Sequence, residues 1–221
     1  MKIFMLAVAA TALSCGAAAA QTPAPVLKLP RADAHFVMGW QHLKKDQPQD
    51  IYNDDWLNDI FYGGAGVGWY WTPNHKTQVD IGGGTRAQQY RFEDRFLGGT
   101  QTPQSSILTV QQWAVTVEQQ YQFFRNQWFH PHVGAGVELA RETTSEIYQP
   151  IFVYDPVRQV SRVVVPERRE GPDHHFLARG VGEVGLKAYM TRQAFFTTDM
   201  RVLFRDGIDQ VLFRVGFGVD F

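Results

Sequence analysis

The sequence predicts an all-β fold, an antiparallel barrel of eight strands that spans a membrane. Three observations lead to this prediction. Eight segments alternate apolar residues with glycine, polar or charged residues, which is the period of a strand with two unlike faces. Short and long connections follow one another between these segments. No apolar run reaches the roughly 18 residues of a transmembrane helix, and lipid admits only helices and closed barrels.

Composition excludes some classes of function. The chain has 221 residues, of which 14% are aromatic and 19% charged, and its formal net charge is −1. This balance argues against a nucleic-acid-binding surface and against a polybasic membrane anchor. The only cysteine, Cys15, lies in the N-terminal segment, so the rest of the chain has no disulfide framework.

The N-terminal segment has the layout of a secretory signal peptide. Lys2 supplies a positive charge, residues 3–13 are largely apolar, and three alanines at 18–20 form a small-residue cleavage site. A lipoprotein site at Cys15 is the weaker alternative, because the usual leucine three residues before it is absent. We expect a signal peptide at 1–20, a proline-rich periplasmic leader at 21–31 and the barrel at 32–221.

The first five predicted strands pair a face of rings and aliphatic residues with a face of glycine and polar residues. They are 34–41 (AHFVMGWQ), 61–71 (FYGGAGVGWYW), 79–86 (VDIGGGTR), 112–123 (QWAVTVEQQYQF) and 129–139 (FHPHVGAGVEL). The last three place charged residues opposite the apolar ones. They are 176–188 (FLARGVGEVGLKA), 196–205 (FTTDMRVLFR) and 211–221 (VLFRVGFGVDF).

The connections distinguish a membrane barrel from a soluble sandwich. Tight turns are predicted at 73–76, 125–127 and 191–193, whereas the connections at 44–59, 93–106, 143–173 and 205–210 are mostly long and charged. Short periplasmic turns and longer extracellular loops are typical of transmembrane barrels. Within the longest connection, apolar runs at 151–154 and 160–165 predict a hairpin, with an irregular loop as the alternative.

The apolar face is too uniform to meet water, so we predict that it faces lipid and that the charged face lines the lumen. Rings near the predicted strand ends then form aromatic girdles. These rings are Trp40, Trp69, Trp71, Trp113, Tyr121, Phe123 and Phe129.

The predicted lumen collects acids and bases in equal number. The acids are Asp80, Glu118, Glu138, Glu183 and Asp199, and the bases are Arg86, Arg179, Lys187, Arg201 and Arg214. Unpaired charges in a narrow lumen are costly, so we expect these groups to pair. Eight strands leave an interior that side chains can fill, which favours a plug that holds the barrel together over the alternative, a gated ion path.

No residue is predicted to be catalytic, to bind a cofactor or to ligate a metal. The serines after the signal peptide, at 105, 106, 145 and 161, have no histidine two residues away, which argues against a serine hydrolase. The histidine pairs at 130/132 and 174/175 are expected near opposite ends of the roughly 25 Å apolar band. Asp173 beside His174 is half of an acid–base pair at most, because no second carboxylate pair accompanies it.

Three segments resemble a known family. The last strand, VLFRVGFGVDF, resembles the terminal strand by which the barrel-assembly machinery recognises its clients, with Phe217, Val219 and Phe221 as the signal residues. GGAGVGWYWTPN (63–74) and HPHVGAGVELA (130–140) resemble strands of the small outer-membrane β-barrel superfamily. That group includes the OmpA transmembrane domain, OmpW-like proteins and opacity-type surface antigens, and no motif assigns a subfamily.

The resemblance spans roughly 32–221 and implies residence in the bacterial outer membrane, in contact with its lipids. We expect a non-enzymatic structural or interaction protein, for example an accessory subunit of a larger outer-membrane or surface assembly. A protein or surface-polymer partner is expected at 143–173, since binding usually resides on loops of a rigid scaffold. The alternatives are a narrow ion-conducting pore and a lipid-directed enzyme.

Overall fold

The computed structural model describes residues 31–45, 56–97, 99–124 and 128–221. Four predicted segments lie outside these residues. They are the signal peptide, the leader except for its last residue, the centre of the first long connection and the tight turn at 125–127. No helix in the described part of the chain is long and apolar enough to cross a membrane.

The described residues form eleven strands, numbered in chain order. They are β1 (Ala32–Lys44), β2 (Trp56–Tyr70), β3 (His75–Gly84), β4 (Ala87–Leu97), β5 (Thr100–Gln122), β6 (Phe129–Tyr148), β7 (Ile151–Asp155), β8 (Val160–Val165), β9 (Arg168–Tyr189), β10 (Ala194–Phe204) and β11 (Ile208–Asp220).

The strands close into a ring. Going around it, β1 pairs with β2, β2 with β3, β3 with β5, β5 with β6, β6 with β9, β9 with β10, β10 with β11, and β11 with β1, all antiparallel. β4 continues the line of β3 and pairs with the outer part of β5. The predicted eight-stranded antiparallel barrel is therefore confirmed.

The register sets how strongly the strands tilt. Successive partners, starting from Ala32, are Trp69, Thr77, Gln119, Ala135, Gly182, Val202, Val211 and finally His42, back on β1. One circuit thus returns to the first strand ten residues farther along, which is the shear of the barrel. With eight strands, such a stagger goes with a narrow interior that side chains can fill.

The two faces of the wall are as the alternation predicts. Rings and aliphatic residues point outward and are exposed, while their neighbours along each strand point inward and are buried. At the end that holds both barrel termini, the turns after β2 and β9 and the last residues of β5, here called the terminal end, exposed rings gather on the outside. Trp69 and Trp71 lie 6.5 Å apart between ring centroids, and Tyr121 and Phe123 lie 4.9 Å apart.

The opposite end, here called the loop end, differs from the prediction. The connections predicted at 93–106 and 143–173 are largely strand. In the first, β4 continues to Leu97 and β5 begins at Thr100; in the second, β6 continues to Tyr148 and β9 begins at Arg168. Alternation failed to reveal these extensions because they set no apolar face against a polar one. Most of their residues are partly or fully exposed, and the buried positions at the start of β5 are the polar residues Gln104 and Ser106. The predicted hairpin is confirmed: β7 and β8 pair with each other, apart from the barrel.

Candidate functional site

The centre of the lumen holds two guanidinium groups that share carboxylates. Arg201 donates from Nε to Oε2 of Glu183 at 2.5 Å, from Nη2 to Oε1 of Glu118 at 2.6 Å, and also to Asp80. Arg214 donates to the same Glu183 oxygen at 2.9 Å and to Oδ2 of Asp80 at 3.0 Å. Both arginine side chains are only 1% exposed, so this cluster is shielded from water.

A fourth carboxylate and two histidines complete the central cluster. Asp199 accepts a hydrogen bond at 2.6 Å from Nε of the second guanidinium group. His35 Nε2 lies 2.9 Å from Oδ1 of Asp80, and His132 Nε2 lies 3.0 Å from Oε1 of Glu183. Four carboxylates therefore face two guanidinium groups, and each imidazole ring lies within hydrogen-bond distance of one of these carboxylates.

A second layer of ion pairs closes the terminal end. Lys187 Nζ donates to Oδ1 of Asp220 at 2.6 Å and to Oδ2 of Asp33 at 3.2 Å. Lys76 Nζ donates to the same Asp33 oxygen at 3.1 Å. Asp33 and Lys76 continue the inward phase of the first and third predicted strands, so extending those strands by a few residues would have found them.

Toward the loop end, Arg179 pairs with Glu138 and with Asp209, the latter at 3.1 Å between Nη1 and Oδ2. The structure thus places nine of the ten predicted luminal charges in the lumen, buried and in ion pairs. They are Asp80, Glu118, Glu138, Arg179, Glu183, Lys187, Asp199, Arg201 and Arg214.

Arg86 is the exception, since it is exposed on the outside of the barrel. Gly83 pairs with Trp113 and Ala87 pairs with Val110. Between these pairs, the three residues 84–86 lie opposite the two residues 111–112 of β5. This is a β-bulge, and the extra residue reverses which positions face inward beyond it. The alternation seen at 79–84 therefore cannot be carried on to Arg86.

An apolar layer lies between the charged lumen and the loop end. Its side chains, nearly all hidden from solvent, are Leu43, Leu57, Ile60, Ala87, Leu108 and Val110. Below it, a cavity of about 10 Å³ is bordered by His35, His132 and Arg214. That is the space of about one water molecule. Among the described side chains, the lumen is thus filled with charges, and the apolar layer borders it toward the loop end on the side of β1, β2, β4 and β5.

Above the apolar layer the barrel opens into a vestibule of about 650 Å³. Lys45 is paired there with Glu142, whose Oε2 is buried without a hydrogen-bond partner. Ser106 Oγ donates to Oε1 of Glu146 at 2.5 Å, and this serine contacts no histidine in the described part of the chain. The described residues contain no group of three side chains that could hold a metal ion.

Most residues of the β7–β8 hairpin, at the loop end, are exposed. Its apolar side chains reach 60% exposure at Phe152 and 91% at Val157. At the other end of the molecule, the predicted assembly-signal residues Phe217, Val219 and Phe221 are exposed on the outside of the barrel. They lie on or next to β11, the strand that closes the ring against β1.

No protein-family model matches this chain, and no curated protein matches its sequence. Its structure does match solved structures. Neisserial surface protein A superposes with a TM-score of 0.52 at 10% identity, covering 86% of this chain and 97% of that chain. The fold is that of the small outer-membrane β-barrels.

Two further solved structures have lower TM-scores. The N-terminal β-barrel domain of OprF from Pseudomonas aeruginosa matches at 0.47 and 13% identity, covering 87% of this chain and 98% of that chain. Ail, the attachment invasion locus protein of Yersinia pestis, matches at 0.49 and 9% identity, covering 86% and 99%. At such identities the likeness concerns the fold alone.

Proposed function

We propose that this protein is a non-enzymatic barrel of the bacterial outer membrane and that its β7–β8 hairpin binds a partner protein outside the membrane. The observation that carries the proposal is the exposure of large apolar side chains on this hairpin. They are Phe152, Val153, Tyr154, Val157, Val160, Val163 and Val164. An apolar patch that faces water on a folded protein usually marks an interaction site.

The membrane location is supported by the distribution of charge across the wall. The charged cluster lies inside the ring, and the outer face of the same strands carries exposed rings and aliphatic side chains. This is the reverse of a soluble barrel and the arrangement of a barrel in lipid. The filled lumen favours an interaction protein over an ion-conducting pore, because the cavity among the luminal charges of the described residues has a volume of only about 10 Å³.

A protein is favoured over a surface polymer because of the backbone of the hairpin. Among the described strands, β7 and β8 pair only with each other, so each has an unpaired edge. An exposed edge can accept a further strand through main-chain hydrogen bonds, and alternate side chains then supply specificity. The valine-rich sequence of β8, VSRVVV, suits such pairing because β-branched residues favour strands.

Replacing the hairpin tests the proposal. Tyr148 and Arg168 are register partners, so an Asn-Gly turn in place of residues 149–167 should join β6 to β9 without disturbing the barrel. A photo-crosslinking residue at Val163, in native outer membranes, should capture one defined partner protein. The same residue at Phe96, which is also apolar and exposed and lies on the hairpin of β4 and β5, is the control.

The proposal predicts a crosslink from position 163 and none from position 96. Purified wild-type protein should compete for that crosslink, whereas the variant with the Asn-Gly turn should not. Heat-dependent gel mobility, a property of an intact barrel, should be the same in both proteins. Crosslinks of equal yield from both positions, or competition by the shortened variant, would rule out the hairpin as the binding surface.

A further inference from the structure

Two arginines lie on the outer face of the barrel. Arg86, in the bulge between β3 and β4, and Arg141, on β6, are both exposed. Within the described part of the chain, neither guanidinium group has an ion pair or a side-chain hydrogen bond. Each would be a lone charge on an otherwise apolar wall, where Ile81 and Leu139 are the exposed neighbours toward the terminal end.

The two arginines flank one strand. Arg141 is the register partner of Trp113 on β5, and on the other side of β5 the bulge sets Arg86 beside Gln111. Neighbouring strands lie roughly 4.8 Å apart, so the two backbones are separated by about 10 Å. The exposed indole of Trp113 lies between them on the same outer face.

Trp113 and Arg141 mark the boundary of the apolar belt on β5 and β6. On these two strands, the nearest outward residues toward the terminal end are Val115, Val117, Val137 and Leu139, whereas Gln111, Thr109 and Thr143 follow toward the loop end. An arginine on the lipid face costs little near the interface but about 2–4 kcal/mol at the midplane of the bilayer. Tryptophan is likewise favoured at the interface. This height is therefore the level of lipid headgroups.

We propose that Arg86, Trp113 and Arg141 form a binding site for a phosphorylated lipid headgroup of the leaflet at the loop end. Guanidinium groups offer a planar pair of donors that matches phosphate oxygens. Trp113 and the belt beneath it meet the acyl chains, which is why the ligand is a lipid and not a free anion. The site depends on the membrane location proposed above but not on a partner at the hairpin.

The test uses the full mature barrel, folded in neutral detergent, with diphosphoryl lipid A as the probe. Tryptophan fluorescence or native mass spectrometry gives the apparent Kd. The double variant Arg86→Gln/Arg141→Gln should bind about tenfold more weakly or worse, since each lost charge-assisted hydrogen bond contributes measurably. Arg192→Gln is the matched control, because Arg192 is equally exposed but lies in the turn at the terminal end.

The expected result is a weaker Kd for the double variant, intermediate values for the single variants, and an unchanged Kd for Arg192→Gln. Inorganic phosphate at millimolar concentration should not displace the lipid. Equal binding by the double variant, an equal loss in Arg192→Gln, or complete displacement by free phosphate would overturn the proposal. Heat-dependent gel mobility separates this failure from failure of the barrel itself, which would instead contradict the proposed function.

Discussion

Two arginines, one in the lumen and one on the hairpin, differ in burial and in the number of carboxylates they contact. Arg201, in the lumen, has a side chain only 1% exposed and donates to three carboxylates. Arg158, in the turn of the β7–β8 hairpin, has a side chain 78% exposed, and its Nε lies 3.9 Å from Oδ2 of Asp155. A buried pair is costly to break, whereas an exposed pair contributes little. The charges of this protein are structural in the lumen and nearly free at the hairpin.

Exposed apolar residues differ in the same way. Phe36, on the barrel wall, is 53% exposed and Phe152, on the hairpin, is 60% exposed. Phe36 belongs to a continuous outer belt, and we propose that lipid covers it. Phe152 lies beyond the barrel, so its ring contacts water unless a partner binds there. Similar exposure therefore indicates lipid contact on the barrel wall and a partner-binding surface on the hairpin.

The largest expected effect follows from removing a luminal cation. Arg201→Met leaves Asp80, Glu118 and Glu183 without one of their shared donors. We expect a loss of about 3–5 kcal/mol in the free energy of unfolding, because uncompensated charge stays buried. Urea unfolding in detergent micelles, followed by gel mobility, measures it. Arg158→Met, the control, should change this free energy by less than about 0.5 kcal/mol; equal losses would break the contrast between the two regions.

A smaller effect is expected from filling space in the lumen. A Cβ at Gly66 would lie 1.9 Å from Oδ1 of Asp80, whereas a Cβ at Gly63, on the same strand, meets no atom within 4 Å. Because Asp80 is held by two arginines, it cannot move aside freely. Gly66→Ala should therefore cost about 1–3 kcal/mol. Gly63→Ala should cost nothing, and a comparable loss there in the same urea titration would contradict the tight packing of the lumen.

The smallest effect concerns conduction. Arg86 lies outside the barrel, so Arg86→Ala leaves the luminal ion pairs intact. Planar-bilayer recordings should find no channel activity in the wild-type protein and none in this variant, since a filled interior of eight strands offers no continuous water path. Regular open-channel events in the wild-type recordings would show that the charged cluster rearranges and would favour the pore.

Much of the barrel could be predicted from local sequence. The alternation of Phe36, Met38 and Trp40 with buried neighbours is a property of single strands, and it correctly separates the two faces. The same argument placed Glu118 and Arg214 on the inner face. It misplaced Arg86, because one extra residue in a bulge reverses the phase and leaves no mark in the pattern.

The sequence by itself determined the number of strands in the ring, their order and the side of the wall on which most residues lie, because these follow from a period of two along the chain. Only the tertiary structure decided which charges meet. Asp80 and Arg201 are 121 residues apart, and they meet because ring closure with a shear of ten brings their strands to one height across a narrow lumen. Periodicity is local to each strand, whereas closure and shear are properties of all eight strands together.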